Sequence, residues 1–193
     1  NYMYLIFLGF ITGLTGVLFN YTLLKTQDLY GLIKFIPIRF RLAIPFLAAC
    51  LMGLFLPQVQ GGGHDLIVSM VKDNFFIGTL IVLLLAKFVF TMVSFGSGAP
   101  GGIFLPMLAI GAIIGNLYGN IITNIFNLNM DFKNNFIILA MAGYFTAVVR
   151  APVTGIVLIT EMTGSFTHLL SLSMVCVISY LTADILKSKP VYE

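Results

Sequence analysis

The run Gly96-Ser97-Gly98-Ala99-Pro100-Gly101-Gly102-Ile103-Phe104-Leu105-Pro106 interrupts a long apolar stretch with glycine and proline. Non-helical backbone is tolerated at membrane depth only where protein buries it or where it lines an aqueous cavity, so a break of this kind marks a site. A helix that restarts at Ile103 and Phe104 leaves its first amide hydrogens without intrahelical acceptors and turns the positive end of its dipole toward the break. Both features favour an anion. Pro106 falls in the opening turn, where a missing N–H does least harm, and Gly98, Gly101 and Gly102 allow tight turning and close approach. The chemistry expected here is therefore the holding of an anion by backbone donors at the head of the restarted helix. Neutral donors replace an ion's hydration without the trap that a buried cation would create, so an ion can bind and still leave.

Other chemistry finds little footing. Gly96-Ser97-Gly98-Ala99-Pro100-Gly101 satisfies the dinucleotide pattern literally. The apolar run before it, however, is of membrane length, a proline intervenes, and no acidic residue follows at the required distance. His64 and His168 lack metal-ligand spacing, and Cys50 and Cys176 lie in apolar runs where a thiol behaves as a small hydrophobe. No nucleophile elbow, P-loop or zincin motif is present, which disfavours an enzyme. Arg150, Glu161 and Lys87 are ionisable residues near membrane depth and thus functional candidates by type. Arg150 and Glu161 read better as helix-end residues that satisfy carbonyls or pair. Lys87, mid-helix, should snorkel or line a cavity.

The elements that would position the break are those of an integral membrane chain. Of the 193 residues 59% are apolar and 9% charged, with a mean hydropathy of +1.04, against globular averages of roughly 45–50% and 25%. A net charge of +3, dispersed along the chain, gives no nucleic-acid stripe. About twenty apolar residues cross a bilayer as a helix. Residues 2 to about 24, 75–95, 104–126 and 166–186 reach that length; residues 42–56, 136–149 and 152–162 are shorter, and 64–72 is short and amphipathic. The reading is all-α, with about eight tilted helices of uneven length, as in transporters whose discontinuous helices meet near the midplane. Residues 127–135 read as a polar loop and 58–63 as a second flexible break. Gly111, Gly115 and Gly119, and Gly9 and Gly13, repeat every four residues and predict close helix packing without chemistry. The chain opens at Asn1 with no signal-peptide pattern and reads as a fragment or one half of something.

Three motifs in order carry a resemblance. Gly98-Ala99-Pro100-Gly101-Gly102-Ile103-Phe104-Leu105-Pro106, then Arg150-Ala151-Pro152-Val153-Thr154-Gly155 with Glu161-Met162-Thr163, then Lys189-Pro190-Val191-Tyr192, resemble the CLC family of chloride channels and proton-coupled anion antiporters. The resemblance implies a domain, residues 1–193, equivalent to the C-terminal half of an inverted-repeat pore domain. The serine-bearing loop and the glutamate gating loop of the N-terminal half are absent from this sequence, as is the helix that follows the tyrosine. It further implies that Ile103 and Phe104 donate backbone amides, and Tyr192 its hydroxyl, to a central anion. Chloride or a similar small anion is then the ligand, with no cofactor. The partners are the N-terminal half of the same protein, the lipid bilayer and a second copy in a homodimer, in the cell membrane. Two other readings remain open: a purely structural or assembly role, and a different secondary transporter for a small anionic substrate.

Overall fold

A computed structural model describes residues 2–32, 43–98, 101–126, 131–164 and 166–191. Among the described residues the chain forms eight α-helices and one short 3-10 turn, with no strand. They are α1 (Tyr2–Leu32), α2 (Ala43–Phe55), the turn Pro57–Val59, α3 (His64–Lys72), α4 (Ile77–Gly96), α5 (Phe104–Phe126), α6 (Asp131–Val149), α7 (Pro152–Thr163) and α8 (Leu169–Ile185). Length and apolar composition make α1, α4, α5 and residues 132–149 of α6 candidate membrane spans. In the most apolar windows of α5 and α6 72% of residues are buried within the chain, against 33% for α1 and 28% for α4, so α5 and α6 form the inner pair.

The glycine stripes explain how that pair closes. A Cβ on Gly115 would stand 2.6 Å from the Ile137 Cα, and one on Gly111 2.9 Å from the Met141 Cα, so the α5 backbone rides directly on α6. Gly9 and Gly13 bring α1 close to α8, where a Cβ would stand 2.9 Å from the Ile178 Cβ and 2.6 Å from the Thr182 Cβ, respectively. Polar side chains then stitch the apolar contacts. Thr12 Oγ1 lies 3.3 Å from Ser179 Oγ, whose hydroxyl donates to the Gly143 carbonyl at 2.8 Å, joining α1, α8 and α6. Asn116 of α5 donates to the Met70 carbonyl at 3.0 Å and holds α3 in place. The amphipathic reading of α3 agrees, with Leu66 and Met70 buried while His64 and Asp65 face outward.

Three sequence expectations need correction. Residues 131–135 are not loop but the first turn of α6, which therefore has 19 residues rather than the short piece 136–149. The polar appearance of that turn misleads because Lys133 is buried at 3% exposure, its ammonium donating to Asn74 Oδ1 at 3.1 Å and the Asp73 carbonyl at 3.4 Å. The last apolar stretch, conversely, yields a helix of only 17 residues. A Schellman turn ends it: Lys187 takes φ 50, its amide N–H donates to the Asp184 carbonyl at 2.9 Å, and that of Ser188 to the Ala183 carbonyl at 3.1 Å. Finally, α1 runs to Leu32, well beyond residue 24, through polar residues such as Lys25, Thr26 and Gln27. The hydroxyls of Thr22 and Thr26 fold back onto carbonyls one turn earlier, so these residues cost the helix little.

Candidate anion site

The helix α4 ends at Gly96, and Gly98 turns the chain with φ 75, a left-handed conformation that favours glycine. Gly101 and Gly102 are exposed, Gly102 has no positive φ, and a Cβ on Gly102 would meet nothing within 4 Å. Tight turning is therefore required at Gly98 and not at Gly102. Helix α5 starts at Phe104, one residue later than an Ile103 start, and the Ile103 carbonyl already accepts the Met107 amide at 3.1 Å. Ile103 therefore caps the helix, and the amides of Ile103, Phe104 and Leu105 lie at its positive end with no intrahelical acceptor. Pro106 is the third helical residue and is buried.

Side chains fix this helix start. Ile103 is 6% exposed, and the ring of Phe104 meets that of Phe145 of α6 edge-on, with centroids 5.7 Å apart and planes at 80°. A cleft of about 200 Å³ runs beside it, lined among others by Gly61, Lys87, Phe95, Gly101, Gly102 and Pro106. Lys87 does not snorkel: it is fully buried, and its Nζ donates to the carbonyls of Val59 at 2.9 Å and Gly61 at 2.8 Å. Those bonds fasten the supposedly flexible 58–63 segment to α4, so the charge serves a loop as well as lining the cleft.

Tyr192, the third ligand that the resemblance implies, lies outside the described residues, but the chain leading to it is held by specific bonds. The Val191 amide donates to the Val148 carbonyl at 3.2 Å. That carbonyl is available because the residue four positions on is Pro152, which has no N–H to give it. Asn20 of α1, 2% exposed, donates to the same carbonyl at 3.0 Å and to the Lys189 carbonyl at 2.8 Å, with Ser188 Oγ at 3.4 Å. The last turn of α6 thus receives both the start of α5, through Phe145, and the tail, through Val148.

Arg150 follows that turn with φ 66, and its guanidinium donates to Asp184 at 2.7 Å and to the Tyr180 carbonyl at 3.1 Å. It ties the α6–α7 junction to α8, the structural role favoured by its helix-end position. Glu161 and His64 are exposed, His168 is half-buried, and among the described residues no group of three His, Cys, Asp or Glu side chains could hold a metal. The literal dinucleotide pattern follows a helix rather than a strand. Sequence reasoning missed Asn20, Phe145 and Val148. Only Asn20 carried a readable signal, as a carboxamide in the apolar run Val17-Leu18-Phe19-Asn20.

Known proteins share the sequence and the fold of this chain. The chain is 39% identical over 195 residues to the H(+)/Cl(-) exchange transporter ClcA of Klebsiella pneumoniae, covering 100% of this chain and 41% of that protein. It is 38% identical to a protein of the same description from Vibrio cholerae serotype O1, covering 96% of this chain and 40% of the relative. The crystal structure of a slow cyanobacterial Cl-/H+ antiporter superimposes with a TM-score of 0.87 at 30% identity, over 97% of this chain and 44% of that one. A CLC-type fluoride/proton antiporter shares the fold, with a TM-score of 0.80 at 24% identity over 99% of this chain and 45% of its own. The chain spans about two fifths of the length of the curated relatives it matches. The family model described as voltage gated chloride channel matches residues 1–184, and the chain belongs to that family.

Proposed function

We propose that the protein exchanges chloride for protons across a membrane and that this chain supplies the C-terminal half of the pathway. The amides of Ile103 and Phe104 and the hydroxyl of Tyr192 coordinate the anion. The observation that carries this reading is the start of α5, a long buried helix whose unpaired amides open onto a glycine break, held rigid by the Phe104–Phe145 contact. Relatives named as H(+)/Cl(-) exchange transporters favour chloride over a carboxylate substrate. Preformed dipoles aimed at the ion need no reorganisation when it arrives, and no cofactor enters. Proton handling falls to residues outside this sequence, since the glutamate loop that the family resemblance assigns to it is not here.

The protein works in the cell membrane as a homodimer, with α7 and α8 at the interface between copies. Val153 is 71% exposed, Leu170 67% and Leu181 49%, so these helices present apolar surface that lipid or a second copy must cover. The decisive experiment reconstitutes the full-length protein in liposomes and follows chloride and proton fluxes together. An imposed chloride gradient should drive protons uphill. Chloride flux without proton movement would make the protein a channel, and absence of chloride flux would overturn the proposal.

A further inference from the structure

Asn20 stands out among the buried polar side chains because it contacts two separate segments that both lead to the proposed site. An amide nitrogen has two hydrogens, and two short bonds use both: one to the Val148 carbonyl at 3.0 Å, one to the Lys189 carbonyl at 2.8 Å. Both partners are acceptors only, so the nitrogen rather than the oxygen of the carboxamide must face them. The Val148 carbonyl also accepts the Val191 amide at 3.2 Å, which pins the residue immediately before Tyr192. Three residues earlier on the same helix, Phe145 meets Phe104. One helical turn therefore holds the start of α5 and the tail in a common frame, and Asn20 is the side chain that locks the tail into it.

We propose that Asn20 is a positioning residue of the anion site, holding residues 188–191 against the end of α6 so that the Tyr192 hydroxyl arrives at the anion together with the Ile103 and Phe104 amides. The inference rests on the reading of Tyr192 as a chloride donor. A leucine at position 20 would fill a similar volume but give no hydrogen to either carbonyl, freeing the tail while leaving the helix packing. A serine would keep one donor on a shorter arm and give a milder form of the same defect.

The test is a double-mutant cycle on the full-length protein, combining chloride titration calorimetry with the rate at which a cysteine placed at position 192 reacts with a thiol reagent. Asn20→Leu should weaken chloride binding roughly tenfold, and Tyr192→Phe at least as much. The double variant should bind no more weakly than Tyr192→Phe alone, since both changes remove the same contact. Labelling at position 192 should change severalfold in the Asn20→Leu background. Asn20→Ser should lie between wild type and leucine in both measurements, and it carries the test should the leucine variant fail to fold. Multiplicative losses in the double variant, or an unchanged labelling rate, would overturn the proposal. Unchanged affinity in Tyr192→Phe together with altered labelling would instead refute Tyr192 as a chloride donor and leave Asn20 as a clamp on the tail alone.

Discussion

The ring of Phe104, the first residue of α5, rests edge-on against Phe145 of α6 with centroids 5.7 Å apart, three residues before the Val148 carbonyl that anchors the tail. This contact ties a helix start, whose amides need an external acceptor, to the most deeply buried helix pair of the chain. A site made of backbone donors can be no more rigid than the backbone it uses. The fold supplies that rigidity by running α5 along α6 at glycine distance and capping the contact with two aromatic rings.

Gly115 should tolerate substitution far less than Gly78. A Cβ on Gly115 would lie 2.6 Å from both the Ile137 Cα and the Phe136 carbonyl oxygen, which are backbone atoms that cannot rotate away, whereas one on Gly78 meets nothing within 4 Å. Gly115→Ala should therefore destabilise by about 1–3 kcal/mol through overpacking, while Gly78→Ala, in the first turn of α4, should stabilise slightly or not at all. Thermal unfolding in detergent measures the difference. Equal melting temperatures for the two variants would mean that α5 and α6 are not in backbone contact.

Lys87→Met should lower stability rather than abolish anion binding. The substitution keeps the apolar stem but strips the Val59 and Gly61 carbonyls of their donor. Gly61 is exposed and can be rehydrated, but Val59 is fully buried, so one unsatisfied carbonyl should cost about 1–3 kcal/mol. Loss of the buried charge's own desolvation penalty offsets part of this. A melting temperature below wild type with chloride affinity retained is the expected pair of results. Wild-type melting with binding abolished would move the anion site to Lys87.

Much of this architecture was legible because membrane burial writes itself into composition. The glycine stripe of α5, the break at 96–106 and the helix-end role of Arg150 all followed from residue type and spacing. What stayed hidden depends on which polar groups find partners. Residues 131–135 looked like loop, yet Lys133 there is buried and bonded to Asn74. Lys87 was expected to snorkel or line a cavity; it lines the cleft, but nothing in the sequence showed the two carbonyls of a distant segment that hold it. Val148 gives no signal at all, since its importance lies in a carbonyl left open by Pro152 and filled by residues far away in sequence.

The isolated chain should carry no chloride flux above that of empty liposomes, whereas co-expression with the N-terminal half that the resemblance implies should restore it. An inverted-repeat transporter builds its pathway at the interface between halves. The break at 101–102 is exposed here, consistent with a surface that the other half covers. Chloride efflux from vesicles loaded with the purified chain is the measurement. Robust flux from the chain alone would require a complete pathway within these residues.

Coordination should depend on the backbone at Ile103 and Phe104 and on the Tyr192 hydroxyl far more than on any cation of this chain. A hydrogen bond to a charged partner contributes about 1.5–3 kcal/mol, so Tyr192→Phe should lower chloride affinity by roughly one to two orders of magnitude. The amides cannot be removed by ordinary substitution, but replacing Phe104 with an ester-linked residue deletes one N–H and leaves the ring against Phe145. That change should produce a loss of the same order, and changes to exposed Lys187 should produce none. Titration calorimetry of the full-length protein, with dimer state and melting checked in parallel, gives the affinities. If the ester variant binds as wild type does, the amide at the head of α5 is not a ligand. If Lys187→Gln weakens binding as strongly as Tyr192→Phe, the anion is held by surface charge rather than by a helix dipole and a hydroxyl.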